Sequence, residues 1–188
     1  MLKHLNLANK LTLARILAVP VLVVLLAYPN RITCMLSMLF FIAASLTDLA
    51  DGYVARRYGQ VTAFGKFLDP LADKILVGSG LIMLTSLGWV PAWIVVIILA
   101  REITVTGLRA IAAEQGVVIA ADKYGKLKTV MQILALCPLL LHYPWWGFEP
   151  QGVGMVFLYV ALALTVFSGA NYLYSFYRNW LYTEEVKK

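Results

Sequence analysis

Six long apolar runs follow one another along the chain, separated by short segments that contain proline, glycine and polar residues. A helix that crosses a lipid bilayer needs about 20 mostly apolar residues. Each run is close to that length, and the prolines and glycines between the runs favour helix ends there. The pattern predicts an all-α integral membrane protein with six transmembrane helices, which would cover, roughly, residues 11–29, 32–53, 70–88, 90–112, 128–143 and 153–176.

Lysine and arginine are distributed very unevenly over the connections between these runs. Alternate connections lie on opposite sides of a membrane, and all of the 16 lysines and arginines except Arg31 fall on the side that carries both termini. Because basic residues accumulate on the cytoplasmic side, we expect both termini to be cytoplasmic in a multi-pass protein of the bacterial cytoplasmic membrane. Aromatic residues suited to a membrane interface lie near the opposite side: Trp89, Trp93, Tyr143, Trp145 and Trp146.

The composition supports a membrane protein and argues against nucleic acid as a partner. Of the 188 residues, 61% are hydrophobic and 14% are charged, whereas a soluble domain is typically about 45–50% apolar and about 25% charged. We expect a single membrane domain over residues 1–188. The net charge of +6 favours anionic membrane lipids as the surface contacted, and no nucleic-acid-binding motif accompanies it.

Six charged residues lie inside or at the ends of apolar runs. They are Asp48, Asp51, Asp69, Asp73, Arg101 and Glu102. A charge near the bilayer centre costs about 2.5–3.5 kcal/mol on insertion scales, so such residues usually face a polar cavity. We expect these residues to meet at one depth, in a polar active-site cavity that opens to the cytoplasmic side.

The four aspartates form two pairs with helical spacing. Asp48 and Asp51 are three residues apart and Asp69 and Asp73 are four apart, so each pair lies on one face of its helix. Four carboxylates in a medium of low dielectric repel one another unless they bind protons or cations. The donors are all hard oxygens without a neighbouring histidine or cysteine, which favours Mg²⁺ or Mn²⁺ over Zn²⁺. A pair of divalent ions is a common arrangement for phosphoryl chemistry.

The same segment contains residues suited to a ligand with phosphate groups. Gly52 and Gly65 lack side chains where the helices must approach a bulky ligand or each other, and Arg56 could bind a phosphate. With Ala55 and the four aspartates they match the pattern D-x2-D-G-x2-A-R-x8-G-x3-D-x3-D without a mismatch. This pattern resembles the signature of the CDP-alcohol phosphotransferase family.

The resemblance implies both a cofactor and a mechanism. The four aspartates would hold two Mg²⁺ ions, with Mn²⁺ as an alternative, and these ions would bind the pyrophosphate of a CDP-linked lipid such as CDP-diacylglycerol. Asp73 would also act as the catalytic base that accepts the proton of the acceptor hydroxyl. That oxygen would attack the lipid-side phosphorus, with CMP as the leaving group. The resemblance also implies a homodimer.

A second resemblance lies at the start of the first apolar run. Asn9, Thr12 and Arg15 repeat every three residues, and family members carry a similar stretch near the nucleotide, although Ala8 stands where many have proline. These residues and Gly52, Arg56 and Gly65 are therefore the expected CDP-lipid-binding set. The alternative interpretation is a helix cap followed by an interfacial anchor.

Basic residues on the fourth and fifth runs indicate the acceptor. Arg101 and Arg109 are eight residues apart and so nearly aligned on a helix, and Lys126 and Lys128 precede the fifth run. An acceptor that carries a phosphate needs such cations. Residues 100–109 and 125–129 resemble the family branch whose acceptor is glycerol 3-phosphate. The lysines could instead be ordinary cytoplasmic charges.

Two other functions remain as alternatives. Within the family, the product could be phosphatidylserine, cardiolipin or an inositol phospholipid. Outside the family, a small transporter or channel would also place carboxylates in a membrane, but it would more often show broken helices and related halves.

Overall fold

The chain folds into six α-helices in the computed structural model, which describes residues 7–58, 63–114 and 123–186, with side chains at 13–47, 71, 72, 74–112 and 124–178. In chain order, the helices are α1 (Leu7–Ala27), α2 (Arg31–Tyr58), α3 (Ala63–Ser86), α4 (Ala92–Glu114), α5 (Lys123–Leu141) and α6 (Pro150–Val186). The residues within these bounds form no strand, which confirms the prediction of an all-α protein.

Local sequence signals set the helix ends at the first and third connections. Asn30 caps α2, because its side-chain oxygen accepts hydrogen bonds from the backbone N–H groups of Ile32 and Thr33, at 2.9 and 3.0 Å. Gly88 ends α3 in the left-handed region, with φ 73°. The Trp89 N–H then donates to the Leu84 carbonyl and the Gly88 N–H to the Thr85 carbonyl, which is a Schellman cap.

All six helices contribute to a common apolar core. Its fully buried side chains include Leu22, Phe41, Leu76, Leu81, Ile94, Leu136, Leu139 and Leu158. The helices α5 and α6 pack very closely, since a Cβ atom at Gly154 would lie only 2.6 Å from Leu139 Cγ. The helix α4 packs against α3 and α6, while α5 packs against α2, α3 and α6; within the described ranges α4 and α5 have no direct backbone packing.

The first, third and fifth connections meet at one end of the bundle. The indole of Trp89 stacks on the imidazole of His142, with ring centroids 3.5 Å apart. The Gln151 side chain donates to the Trp89 carbonyl at 2.7 Å, and Tyr143 donates to the Pro29 carbonyl at 3.4 Å. This end, here called the aromatic end, is the one to which the sequence assigns the aromatic belt. The last residues of α2 and α4 and the first residues of α3 and α5 therefore lie toward the opposite end.

The outer surface of the bundle is apolar. Large side chains such as Leu17, Val96, Ile103 and Val156 point outward, and Ile103 is 72% exposed. A soluble protein rarely exposes so much apolar surface. By length and composition, two helices in the described part of the chain could cross a membrane, at Tyr124–Leu141 and Pro150–Arg178, and three shorter apolar segments cover Leu13–Ala27, Arg31–Thr47 and Lys74–Ser86.

Candidate active site

The aspartate motif occupies the facing ends of two consecutive helices. Asp48 and Asp51 lie in the second half of α2, together with Gly52 and Arg56. Asp69 and Asp73 lie in the first half of α3, which begins two residues before Gly65. The helices α2 and α3 contact each other, and that the two halves of the motif form one site stays a prediction.

The side chains of this motif lie outside the described residues, as do those of Asn9 and Thr12, which fall on α1. Among the side chains that are described, no group of three or more histidine, cysteine, aspartate or glutamate residues could hold a metal ion. The fit of a metal therefore depends on donor chemistry, and four carboxylates on two adjacent helices are suitable donors for a hard divalent cation.

Within the expected CDP-lipid-binding set, Arg15 is the arginine whose side chain is described. It is 3% exposed, and its Nε donates to the Ala44 carbonyl of α2 at 3.4 Å. Ala44 precedes Asp48 by four residues, about 6 Å along a helix. A groove of about 190 Å³ lies beside this contact, lined by Ala14, Arg15, Ala18, Phe40, Ala43, Ala44 and Thr47. Arg15 is thus buried against α2, one turn from the aspartate motif.

A cluster of charged side chains joins α4, α5 and α6. The Arg101 guanidinium donates to Ser168 Oγ on α6 at 2.9 Å and lies 3.7 Å from the Glu102 carboxylate. The same carboxylate forms an ion pair with Lys128 on α5. Lys128 is 4% exposed, and the side chains of Arg101 and Glu102 are 13% and 16% exposed. Arg101 and Lys128, predicted from separate stretches of sequence, therefore share one carboxylate.

Gly169 makes room for Arg101, and Gly125 lies near its guanidinium. A Cβ atom at Gly169 on α6 would lie 2.9 Å from Arg101 Cγ, closer than real Cβ atoms come to such a neighbour. A Cβ atom at Gly125 on α5 would lie 4.0 Å from the guanidinium. The arginine therefore lies against the backbone of α6 at Gly169, and its position depends on the absence of a side chain there.

Lys74 extends the charged cluster to α3. Its ammonium donates to Thr106 Oγ1 on α4, and the same hydroxyl donates to the Glu102 carbonyl at 2.6 Å. Lys74 directly follows Asp73 in the sequence. The cluster is thus connected, through one residue of α3, to the helix that carries the second aspartate pair.

The charges of this cluster favour an anionic ligand. Lys74, Arg101 and Lys128 are three cations against the single carboxylate of Glu102, which leaves two positive charges on these four described residues. In a site that is mostly buried, charge-assisted hydrogen bonds are stronger than in water. This net charge is equal in magnitude and opposite in sign to that of a phosphate dianion.

Arg109 and Lys126 occupy more open positions than Arg101 and Lys128. Both side chains are exposed. The Arg109 guanidinium lies 5.3 Å from the centre of the Tyr172 ring on α6, one turn beyond Ser168, so Arg101 and Arg109 contact the same face of α6. Such a cation–π contact at an exposed site is weak.

From the sequence, Lys74 is one of the basic residues expected on the cytoplasmic side, and neither Ser168 nor Thr106 is predicted to belong to the site. A signal for Lys74 was present, since it lies next to Asp73 within an apolar run. No comparable signal marks Ser168, because a single serine in a long apolar helix is common and bonds the backbone of its own helix.

Comparison with known proteins agrees with the aspartate pattern. The model of the CDP-alcohol phosphatidyltransferase family matches residues 5–167. This chain belongs to that family, whose members are membrane-associated and generally use divalent metal ions.

Relatives within the family carry more specific names. A protein from Bacillus subtilis is 42% identical over 187 residues, which cover 93% of this chain and 95% of the relative, and is named CDP-diacylglycerol–glycerol-3-phosphate 3-phosphatidyltransferase. One from Rickettsia typhi with the same name is 42% identical over 89% of this chain and 94% of its own length. A probable phosphatidylglycerophosphate synthase from Mycobacterium tuberculosis is 43% identical over 89% of this chain and 80% of its own length.

Proposed function

We propose that this protein transfers the phosphatidyl group of CDP-diacylglycerol to sn-glycerol 3-phosphate, giving phosphatidylglycerophosphate and CMP. Relatives at 42–43% identity, which cover about nine tenths of the chain, are named for this reaction. The observation that carries the proposal is the cluster of Lys74, Arg101, Glu102 and Lys128. Its three cations and one carboxylate leave two positive charges, the magnitude that an acceptor with a phosphate dianion requires.

Arg101 and Lys128 are the proposed ligands of the acceptor phosphate. An arginine can donate two parallel hydrogen bonds to a phosphate, and the Arg101–Ser168 contact at 2.9 Å holds the guanidinium in place. Arg109 and Lys126 are exposed, so we assign them to attraction of the acceptor toward the site. An uncharged acceptor would have no use for this cluster.

The donor belongs on the aspartate side of the site. We propose Asp48, Asp51, Asp69 and Asp73 as ligands of two Mg²⁺ ions, with Mn²⁺ as an alternative, and Asn9, Thr12, Arg15, Gly52, Arg56 and Gly65 as contacts of the CDP-lipid. Bound divalent ions would neutralise the pyrophosphate and the departing CMP. Support comes from the hard-oxygen donors and from the Arg15 contact with Ala44, one turn before Asp48.

The chemical step moves one proton and exchanges one phosphorus–oxygen bond. Asp73 accepts the proton of the acceptor hydroxyl as general base. The hydroxyl oxygen forms a bond to the lipid-side phosphorus, and the bond from that phosphorus to the oxygen of CMP breaks. Because Lys74 follows Asp73 and contacts the basic cluster through Thr106, the acceptor phosphate and the base belong to connected parts of the site.

Membrane location is part of the same proposal. Six spans with both termini in the cytoplasm would put the aspartates and Arg101 on the side from which glycerol 3-phosphate comes. Supporting observations are the apolar outer surface and the near absence of lysine and arginine at the aromatic end, which holds Arg31. The family resemblance adds a homodimer in the bacterial cytoplasmic membrane, which crosslinking in native membranes would test.

The decisive experiment is an acceptor panel with purified protein in detergent. CMP release from CDP-diacylglycerol is measured with glycerol 3-phosphate, serine, inositol, inositol phosphate and phosphatidylglycerol in turn. We expect glycerol 3-phosphate to support release and the uncharged acceptors to fail. Activity should disappear on chelation and return with Mg²⁺ or Mn²⁺. Release with serine but not with glycerol 3-phosphate would refute the acceptor, and absence of any CMP release would refute the transferase.

A further inference from the structure

Gln132 is a buried polar residue to which the proposed reaction gives no role. It lies on α5 one turn after Lys128, on the same helix face, and is 4% exposed. Its Nε2 has no hydrogen-bond partner among the described residues. Nearly all buried donors in native proteins are paired, because an unmade hydrogen bond in a dry environment is unfavourable. The amide therefore indicates a position at which another group completes the site.

A small cavity beside Gln132 provides room for that group. Its volume is about 20 Å³, which suits one hydroxyl group or one water molecule. The polar part of its lining comes from Lys74, Glu102, Thr129 and Gln132, and the apolar part from Val77, Gly78, Ile98 and Leu99. The cavity thus lies between α3, α4 and α5 and shares Lys74 and Glu102 with the basic cluster.

We propose that Gln132 donates a hydrogen bond to the hydroxyl on the middle carbon of the acceptor and thereby selects a polyol phosphate. This rests on the proposed function, because Arg101 and Lys128 must hold the phosphate. Gln132 lies four residues beyond Lys128, about 6 Å along the helix, which is the scale of a three-carbon phosphate ester. An ester held at both points would fill the cavity with its middle hydroxyl.

The position of Lys74 agrees with this arrangement. Lys74 lines the cavity and directly follows Asp73 on α3. The remaining hydroxyl, on the terminal carbon, would then be the one directed to the base. A site built to hydrogen-bond a substrate hydroxyl discriminates strongly against an analogue that lacks it, since its own buried polar group is then left unpaired.

The test compares two acceptors in two variants. Gln132→Met keeps a side chain of similar size but has no hydrogen-bond donor. The acceptors are glycerol 3-phosphate and 3-hydroxypropyl phosphate, which lacks only the middle hydroxyl. We expect Gln132→Met to lower kcat/KM for glycerol 3-phosphate by at least about tenfold and to leave the value for 3-hydroxypropyl phosphate nearly unchanged.

Gln151→Met is the matched control, because Gln151 is bonded to the Trp89 carbonyl at the aromatic end. It should leave the preference between the two acceptors as in the wild type. Equal losses with both acceptors in Gln132→Met would mean a purely structural glutamine, and no loss with either would mean that the amide binds water only; each overturns the inference. Failure of the wild type itself to use glycerol 3-phosphate would instead refute the proposed function, and this inference with it.

Discussion

At the residue scale, Arg101 shows how a charged side chain is accommodated in an apolar helix. A buried ion without partners is strongly unfavourable, and Arg101 is only 13% exposed. Ser168 accepts one of its hydrogen bonds, and Glu102 lies 3.7 Å away. Glu102 also neutralises Lys128, so one carboxylate serves two cations. Arg101, Glu102 and Lys128 together keep a net positive charge, which is the physical reason to expect an anion there.

Removal of this guanidinium should reduce the use of the acceptor and leave donor binding largely unchanged. We expect Arg101→Ala to lower kcat/KM for glycerol 3-phosphate by about 10- to 150-fold, the equivalent of about 1.5–3 kcal/mol for a lost bond to a charged group. Arg109→Ala should have a smaller effect, because Arg109 is exposed. Steady-state kinetics with varied acceptor measures both.

Binding of CDP-diacylglycerol should change little in both arginine variants. The matched control is Arg178→Ala, at an exposed position on α6, which should change neither the acceptor kinetics nor the binding of CDP-diacylglycerol. Normal acceptor kinetics combined with weak CDP-lipid binding in Arg101→Ala would assign Arg101 to the donor, and an uncharged acceptor would then become the better hypothesis.

Substitutions of the aspartates should distinguish the role of Asp73 as base from metal binding. Asp73→Asn keeps the size of the side chain but cannot accept the proton, so we expect the rate to fall by at least about 10²-fold. Asp51→Asn should act mainly through metal affinity, so that added Mg²⁺ restores part of its activity. Titration of both variants with Mg²⁺ makes the comparison, and complete rescue of Asp73→Asn would be incompatible with its role as base.

At the element scale, the sequence predicted the number and type of the helices but not all of their ends. Each of the six predicted runs lies largely within one observed helix, because long apolar runs bounded by proline and glycine determine helices almost independently of tertiary contacts. The polar helix ends were underestimated, since hydropathy does not detect them. Thus α5 begins at Lys123 and not at residue 128, and α6 continues to Val186 and not to residue 176.

The site was predictable only where its residues are close in sequence. The spacing of the aspartates placed each pair on one helix, and the depth of Arg101 indicated a polar environment. The contacts of Arg101 with Ser168, and of Lys74 with Thr106, join residues that are 67 and 32 positions apart. Such contacts depend on which helices pack together, and no local periodicity contains that information.

Gly169 provides a test of the α4–α6 contact. Its Cβ atom in Gly169→Ala would lie 2.9 Å from Arg101 Cγ, so the arginine must move away from Ser168. Because small displacements of a positioned group reduce catalysis strongly, we expect kcat/KM for glycerol 3-phosphate to fall by about tenfold, with little change in CDP-diacylglycerol binding.

Gly152→Ala is the matched substitution on the same helix, since nothing lies within 4 Å of its added Cβ atom. It should retain full activity and a similar melting temperature. If Gly169→Ala also retained full activity, the position of Arg101 would not depend on this close contact with α6.

At the scale of the whole molecule, the two ends of the bundle have different chemistry. The aromatic end is closed by ring stacking and by backbone hydrogen bonds among three short connections. Toward the other end, α4 and α5 do not pack directly in the described part of the chain, and the side chains of Glu102 and Lys128 bridge them. A polar site between two separated helices, within an apolar surface, suits an enzyme that joins a water-soluble acceptor to a lipid.

The uneven distribution of lysine and arginine predicts the membrane orientation, and labelling of single cysteines would test this prediction. The native Cys34 and Cys137 are both free thiols and are first replaced by alanine. Cysteines are then placed at Gln60 and Ala121, in the second and fourth connections, which lie outside the described residues, and at Glu149, which is exposed at the aromatic end. A membrane-impermeant maleimide should label the first two only in inside-out vesicles and the third only in intact cells, because basic residues are retained in the cytoplasm.

Labelling of Gln60→Cys and Glu149→Cys from the same side would contradict six spans, since an odd number of helices, α3 to α5, separates these positions. A fully reversed pattern would keep the six spans but turn Arg101 and the aspartates away from the cytoplasm, where a water-soluble phosphate ester made in the cell could not reach them.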